Sequence, residues 1–228
     1  SLSSACSVIK GQGATSDVPF NYNSRMISTF AHEVGHQLSG THTYNYCPPN
    51  DVTNGSAIEP ASGTTIMSYG GVCGNQDILP DVNLYFHSLS INQMRNFITL
   101  DGGSLCGALQ NTTNNSPTAI SLTKDSLYLP ISTPFVLKGS GTDPDGDALT
   151  YTWEQYDLGQ SVPLGTEGNG SPLFRSFPPA TSPDRTFPQL TTIVNNQSNN
   201  AEILPTKTRQ LNFRFTARDN NAQAGGVN

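Results

Sequence analysis

The sequence predicts a first region of helices and disulfide-pinned loops followed by an all-β, sandwich-like second region, and three observations carry that prediction. Met26, Phe30, Val34 and Leu38 recur at four-residue intervals within RMISTFAHEVGHQL, which is one apolar face of a helix over 25–38. All four histidines and all four cysteines lie before residue 107. Beyond residue 117 the repeat shortens to two. Leu211, Phe213, Phe215 and Ala217 alternate with Asn212, Arg214, Thr216 and Arg218, and Leu149, Tyr151 and Trp153 alternate with Thr150, Thr152 and Glu154. Such alternation marks half-buried strands, and short strands parted by Gly, Pro and Asn turns make an antiparallel sandwich.

Taken in order, the helix over 25–38 sets His32 and His36 on a face apart from its apolar one. A second helix is predicted from Ile91 to Thr99, where Ser90 and Gln93 form a capping-box pattern and Gly102-Gly103 stop the chain. Gly, Pro, Asn and Ser dominate between the two helices, so that stretch reads as long loops. The polar run Gln110 to Ser116 reads as a linker, which divides the chain into 1–109 and 117–228. Residues 158–200 are too rich in Pro, Gly and Asn to divide into strands and read mostly as loop.

Charge and composition exclude some classes of function. Eleven Lys and Arg against 17 Asp and Glu give a net charge of −6, with no basic run to neutralise a phosphate backbone, so nucleic acid is not an expected partner. No stretch approaches the ~18 to 20 apolar residues of a membrane span, and the first thirty residues lack an export-signal pattern. Cys6, Cys47, Cys73 and Cys106 form either two disulfides or one four-thiolate zinc site, though no pair has the short spacing such sites use. Disulfides would place the chain in an extracellular or periplasmic setting. Only 12% of residues are charged, and Ser, Thr, Asn and Gly are abundant, which suits a secreted surface.

The chemistry-bearing residues cluster early. His32 and His36 are one helical turn apart on one face and can share a tetrahedral metal such as zinc. Glu33 is rotated by ~100° from His32, so it can reach a water at that metal without being a ligand. His42 follows His36 by six residues, and a continuing helix would turn it away. The helix must therefore end between them, and Gly40 is the residue expected to take the positive φ of the reversal. His87, the remaining histidine, is expected to pack or hydrogen-bond near the second helix.

HEVGHQLSGTH resembles the metzincin signature H-E-x-x-H-x-x-G-x-x-H, and the match extends to a methionine turn, Ile66-Met67-Ser68-Tyr69. YFHSLSI at 85–91 and DPDGDALTYTWEQYDLG at 143–159 look like segments of secreted bacterial reprolysin-like peptidases, so the resemblance covers most of the chain. One departure stands out: Ser39 occupies the signature's glycine position and Gly40 follows it. The resemblance implies an α/β metzincin catalytic domain, present as its C-terminal half, followed by an immunoglobulin-like sandwich. It implies zinc held by His32, His36 and His42, Glu33 as general base, Met67 as a packing floor, and protein or peptide substrates.

For Tyr69 the resemblance allows zinc binding or oxyanion stabilisation, with simple packing as the alternative. Of the three possible disulfide pairings it implies Cys47–Cys73 and Cys6–Cys106, each closing a loop with little core of its own. Because these domains carry a twisted sheet before the zinc helix and only about thirty residues precede His32 here, it also implies an upstream segment of the same precursor as a partner. Glu59 and Asp51 could hold calcium or stand solvated at the surface. Asp143, Asp145 and Asp147 form either part of a calcium site or an Asx-type turn. The function expected is a zinc-dependent endopeptidase. Its rivals are a secreted adhesion or binding protein whose sandwich does the work beside an inactive zinc site, and a zinc hydrolase of non-peptide amides.

Overall fold

The protein is described by a computed structural model covering residues 5–7, 24–50, 52–108, 110–124, 126–222 and 224–228. Among these residues the elements run α1 (Ser24–Gln37), α2 (Ser88–Thr99), β1 (Thr118–Ser121), β2 (Phe135–Leu137), β3 (Gly139–Thr142), β4 (Thr150–Gln155), β5 (Arg185–Phe187), α3 (Leu190–Val194) and β6 (Phe213–Arg218). None of the described helices is long and apolar enough to cross a membrane.

α1 forms where the four-residue apolar spacing predicts a helix. Its apolar face is only partly covered, since Phe30 is 64% exposed and its neighbour Ile27 is 55% exposed. α2 begins three residues earlier than the sequence indicates. Its N-cap is His87, whose ring Nδ1 accepts the Leu89 N–H at 3.1 Å, and the expected capping box of Ser90 and Gln93 is not used. Ser90 lies within the helix with its hydroxyl buried and unpartnered, while Gln93 reaches out to Thr41.

The long connection between these helices has a polar core. Glu59 is buried, and its carboxylate accepts from the Thr43 hydroxyl (2.7 Å), the Thr64 N–H (2.7 Å), the Thr64 hydroxyl (3.1 Å), the Thr65 N–H (3.2 Å) and the Thr65 hydroxyl. A loop with few apolar side chains leaves buried backbone donors, and one carboxylate satisfies several of them with charge-assisted bonds. Glu59 is therefore neither a solvated surface group nor free for calcium. Asp51 lies outside the described residues. Two disulfides tie this region, Cys47–Cys73 across the long connection and Cys6–Cys106 across its ends, the pairings the family resemblance implies.

The second region holds three antiparallel ladders, β1 with β3, β2 with β5 and β4 with β6. The predicted alternation puts β4 and β6 in register, from Thr150 opposite Arg218 to Gln155 opposite Phe213. Leu137, Trp153, Leu173, Phe174 and Phe187 form the core between the ladders, with Phe135, Phe213 and Phe215 packed against them. Ring pairs at 4.7–5.2 Å, such as Phe187 with Phe213 and with Phe174, give it the offset and edge-on contacts aromatic groups prefer.

The other face of β4 is not solvated, as simple alternation would have it. Thr152 and Glu154 are buried, because that face meets the first region. Glu154 accepts the Ser88 N–H at the start of α2 (2.9 Å) and the Ser176 hydroxyl (2.6 Å). Around it the Thr64 hydroxyl shares its proton between Glu59 and the Ser176 carbonyl, Tyr85 donates to the Ser176 hydroxyl and Arg218 donates to the Phe86 carbonyl. Further along the seam, Ser161 and Val162 donate to Asn45, and Leu164 donates to Gln76. The two regions thus share a buried polar seam.

Candidate metal centre

α1 delivers His32 and His36 one turn apart, and the chain reverses after it to return His42. The reversal is a Schellman motif: the Ser39 N–H reaches the His36 carbonyl (3.0 Å) and the Gly40 N–H reaches the Gly35 carbonyl (2.8 Å). The left-handed residue is Ser39, at φ 74°, and not Gly40. The chain therefore turns at the signature's glycine position although serine stands there. Gly40 serves close approach instead, since a Cβ on it would come within 2.9 Å of the Gly35 carbonyl oxygen.

The three imidazoles converge on one point. His42 Nε2 lies 3.2 Å from His32 Nε2 and 3.0 Å from His36 Nε2. Backbone carbonyls orient two of the rings: His32 Nδ1 donates to Ile66 O at 2.7 Å and His36 Nδ1 donates to Gly40 O at 2.8 Å. A carbonyl only accepts, so in each neutral ring the proton sits on Nδ1 and the lone pair on Nε2 faces the cluster. A hydrogen on His42 could bridge only one of those lone pairs, so the set is left with electron pairs facing each other. A cation resolves this. Ligands on one tetrahedral zinc at about 2.0–2.1 Å stand about 3.3 Å apart, within a few tenths of an ångström of the separations here.

The electrostatics favour the neutral forms of His32 and His42. Burial, then the neighbouring His32 and His36, push the pKa of His42 down to about 3. Burial also lowers that of His32, against the pull of the Ile66 carbonyl. Neutral imidazole is the metal-binding form.

Met67 lies under this cluster, fully buried. A Cβ on Gly35 would meet its sulfur at 2.5 Å, so the glycine between the two α1 histidines is what lets the thioether approach the helix. The Tyr69 ring sits 4.6 Å from that of His42 and stacks at 4.6 Å on Tyr44, which is buried beside the Cys47–Cys73 bridge. Burial, then the charge of Glu33, raise the Tyr69 pKa, so its phenol stays a donor. Glu33 is near enough to act on both His32 and Tyr69.

Other expected positions go elsewhere. His87 caps α2 and lies 3.8 Å from Glu154. Asp143 Oδ1 accepts the N–H groups of Asp145 and Asp147, an Asx-type turn, while Asp145 holds Asn115 and Asp147 holds Asn221. Among the described residues His32, His36 and His42 form the only group gathered closely enough to share a metal ion. Sequence reasoning missed Gly35, Tyr44 and the Ile66 carbonyl. Only Gly35, as a glycine inside a helix, gave a signal.

Neither the curated proteins nor the solved structures offer a match to the chain. Residues 3–97, which contain the whole histidine cluster and Met67, match the family described as Metallo-peptidase family M12B Reprolysin-like.

Proposed function

We propose that the protein is a zinc-dependent endopeptidase and that His32, His36 and His42 hold its metal. The observation that carries this is the convergence of three Nε2 atoms, with His42 at 3.0 and 3.2 Å from the other two, on a segment that matches a metallopeptidase family. Three neutral nitrogen ligands leave a fourth position open, the mark of a catalytic rather than a structural site.

When bound, zinc polarises the scissile carbonyl and acidifies a water. Glu33 would take that water's proton as the C–O bond forms, and then hand it to the amine nitrogen as the C–N bond breaks. Tyr69 donates a hydrogen bond to the carbonyl oxygen as its charge grows, a role its protonated phenol and its place beside His42 support. His32 and His36 stay oriented through their carbonyl partners, and Met67 fills the space beneath.

The reading carries a secreted setting, which the two disulfides support, and an upstream segment lying over the exposed side of α1. It also carries an immunoglobulin-like module at 117–228, supported by the antiparallel ladders around an aromatic core. Replacing Glu33 by Gln is the decisive test. Zinc should stay bound at one equivalent while kcat/KM on peptides falls by about 10²–10⁴-fold. Hydrolysis at the wild-type rate in Glu33→Gln would remove this mechanism.

A further inference from the structure

Glu154 lies in β4, far along the chain from the histidines, yet its carboxylate is fully buried at the junction of the regions. Two routes lead from it to the metal centre. In the first, Glu154 accepts the Ser176 hydroxyl (2.6 Å), and that hydroxyl accepts from the Tyr85 phenol (2.8 Å). The Tyr85 carbonyl in turn accepts the Ile66 N–H (3.0 Å), and the Ile66 carbonyl accepts His32 Nδ1–H (2.7 Å). The same serine's carbonyl shares the Thr64 hydroxyl proton with Glu59 (3.1 Å to each), so Ser176 contacts the 64–66 segment from two sides.

In the second route, Glu154 accepts the Ser88 N–H in the first turn of α2, where a negative charge is favoured. One turn further along α2, Gln93 accepts the Thr41 N–H (3.1 Å) and donates to the Thr41 hydroxyl (2.7 Å). Thr41 is the residue immediately before His42. A single carboxylate thus holds both the carbonyl that aims His32 and the helix that fixes the approach of His42.

We propose that Glu154, through Ser176 and α2, is a positioning residue for the metal ligands, so that the β-rich second region is a working part of the metal centre and not an appended module. The proposal rests on the zinc reading above. Groups that orient a ligand from behind set metal affinity as well as rate, because a ring free to rotate must be ordered when the metal binds.

The test uses the whole chain and reads metal binding, not only peptide cleavage. Zinc affinity is measured by competition with a chromogenic chelator, and ligand geometry by the visible absorption of the cobalt-substituted protein. Glu154→Gln keeps the shape but removes the charge, and should weaken zinc by ~10-fold and shift the cobalt bands. Tyr85→Phe deletes only the link to Ser176, folds in the event that Glu154→Gln does not, and should show a smaller shift of the same kind. Leu137→Ala, a cavity in the aromatic core, is the control: it should lower Tm without changing either readout. Wild-type zinc affinity and cobalt spectrum in both Glu154→Gln and Tyr85→Phe would overturn the proposal. Failure of the wild-type chain to bind one zinc would instead overturn the zinc reading itself.

Discussion

The two regions are held together by opposite means. The first hangs its long connection on one buried carboxylate, Glu59, surrounded by Thr43, Thr64 and Thr65, and on the Cys47–Cys73 disulfide, while Cys6–Cys106 ties the ends of the region. The second packs rings: Trp153, Phe174 and Phe187 lie buried among Phe135, Phe213 and Phe215. The difference follows from what each region has to do. A cluster of histidines needs backbone carbonyls aimed at their Nδ1 atoms, and irregular backbone supplies such carbonyls only if its remaining donors are satisfied locally. Apolar packing is non-directional and suits a scaffold. Hydrogen bonds are directional and suit a site.

Substitution at the centre of each core sharpens this contrast. Phe187→Ala should cost about 3–5 kcal/mol of global stability, because it opens a ring-sized cavity in a close-packed cluster. Glu59→Gln keeps the volume but removes the charge, and its N–H₂ must face either the Thr64 and Thr65 N–H groups, which only donate, or hydroxyls that must turn round to accept, so it should cost about 1–3 kcal/mol. The two should also differ in kind. Phe187→Ala should lower Tm with the folded metal centre unchanged, while Glu59→Gln should speed hydrogen exchange at the amides of Thr64 and Thr65. Equal exchange rates in the two variants would break the comparison.

The seam between the regions adds a sensitivity to acid. Burial alone would raise the pKa of Glu154, but His87, Arg218, the Ser176 hydroxyl and the Ser88 N–H outweigh it and bring it below the ordinary 4.5. Tyr85 and Arg185 face the same carboxylate. A carboxylate with a depressed folded pKa contributes stability that is present above its unfolded value and is lost as pH falls through the folded one. Wild-type Tm should therefore fall more steeply than that of Glu154→Gln as pH is lowered from about 5 toward 3. Parallel curves for the two proteins would mean that the seam carries no net charge effect.

What the sequence could show follows the same divide. Spacing announced the histidines, since HEVGHQLSGTH fixes which side chains share a turn, and alternation announced β4 and β6 as strands, though their pairing and register came only from the structure. Both are local patterns of what faces inward. Glu59, Ser176 and Glu154 left no such trace, because a buried polar residue looks like a surface one until the distant donor it serves is known. Glu154 sits on the face that alternation assigns to solvent, and only the packing of β4 against α2 reverses that. The start of α2 was misplaced for a similar reason. The Ser90–Gln93 pair fits a capping box, but Gln93 is taken by Thr41 and the ring of His87 caps the helix first.

The smallest effect expected lies at the hinge between α1 and His42, where a site residue and a scaffold residue meet in one turn. Ser39 holds φ at 74°, a conformation that sets Cβ against the following carbonyl and costs a side-chain-bearing residue about 1–2 kcal/mol. The reversal keeps it there because the bonds from Ser39 N to His36 O and from Gly40 N to Gly35 O close the helix and return the chain toward His42. Glycine would relieve that strain, but it also loses roughly 0.5–1 kcal/mol more backbone freedom on folding than a residue with a Cβ. The net gain of Ser39→Gly should be roughly 0.5 kcal/mol, seen as a rise in Tm of about 1–2 °C for a chain of this size. Ser39→Ala keeps the Cβ and should show no such rise. Zinc affinity should be unchanged in both, since neither alters the carbonyls that aim His32 and His36. A lower Tm in Ser39→Gly would mean that the serine side chain stabilises the turn by more than its backbone strain costs.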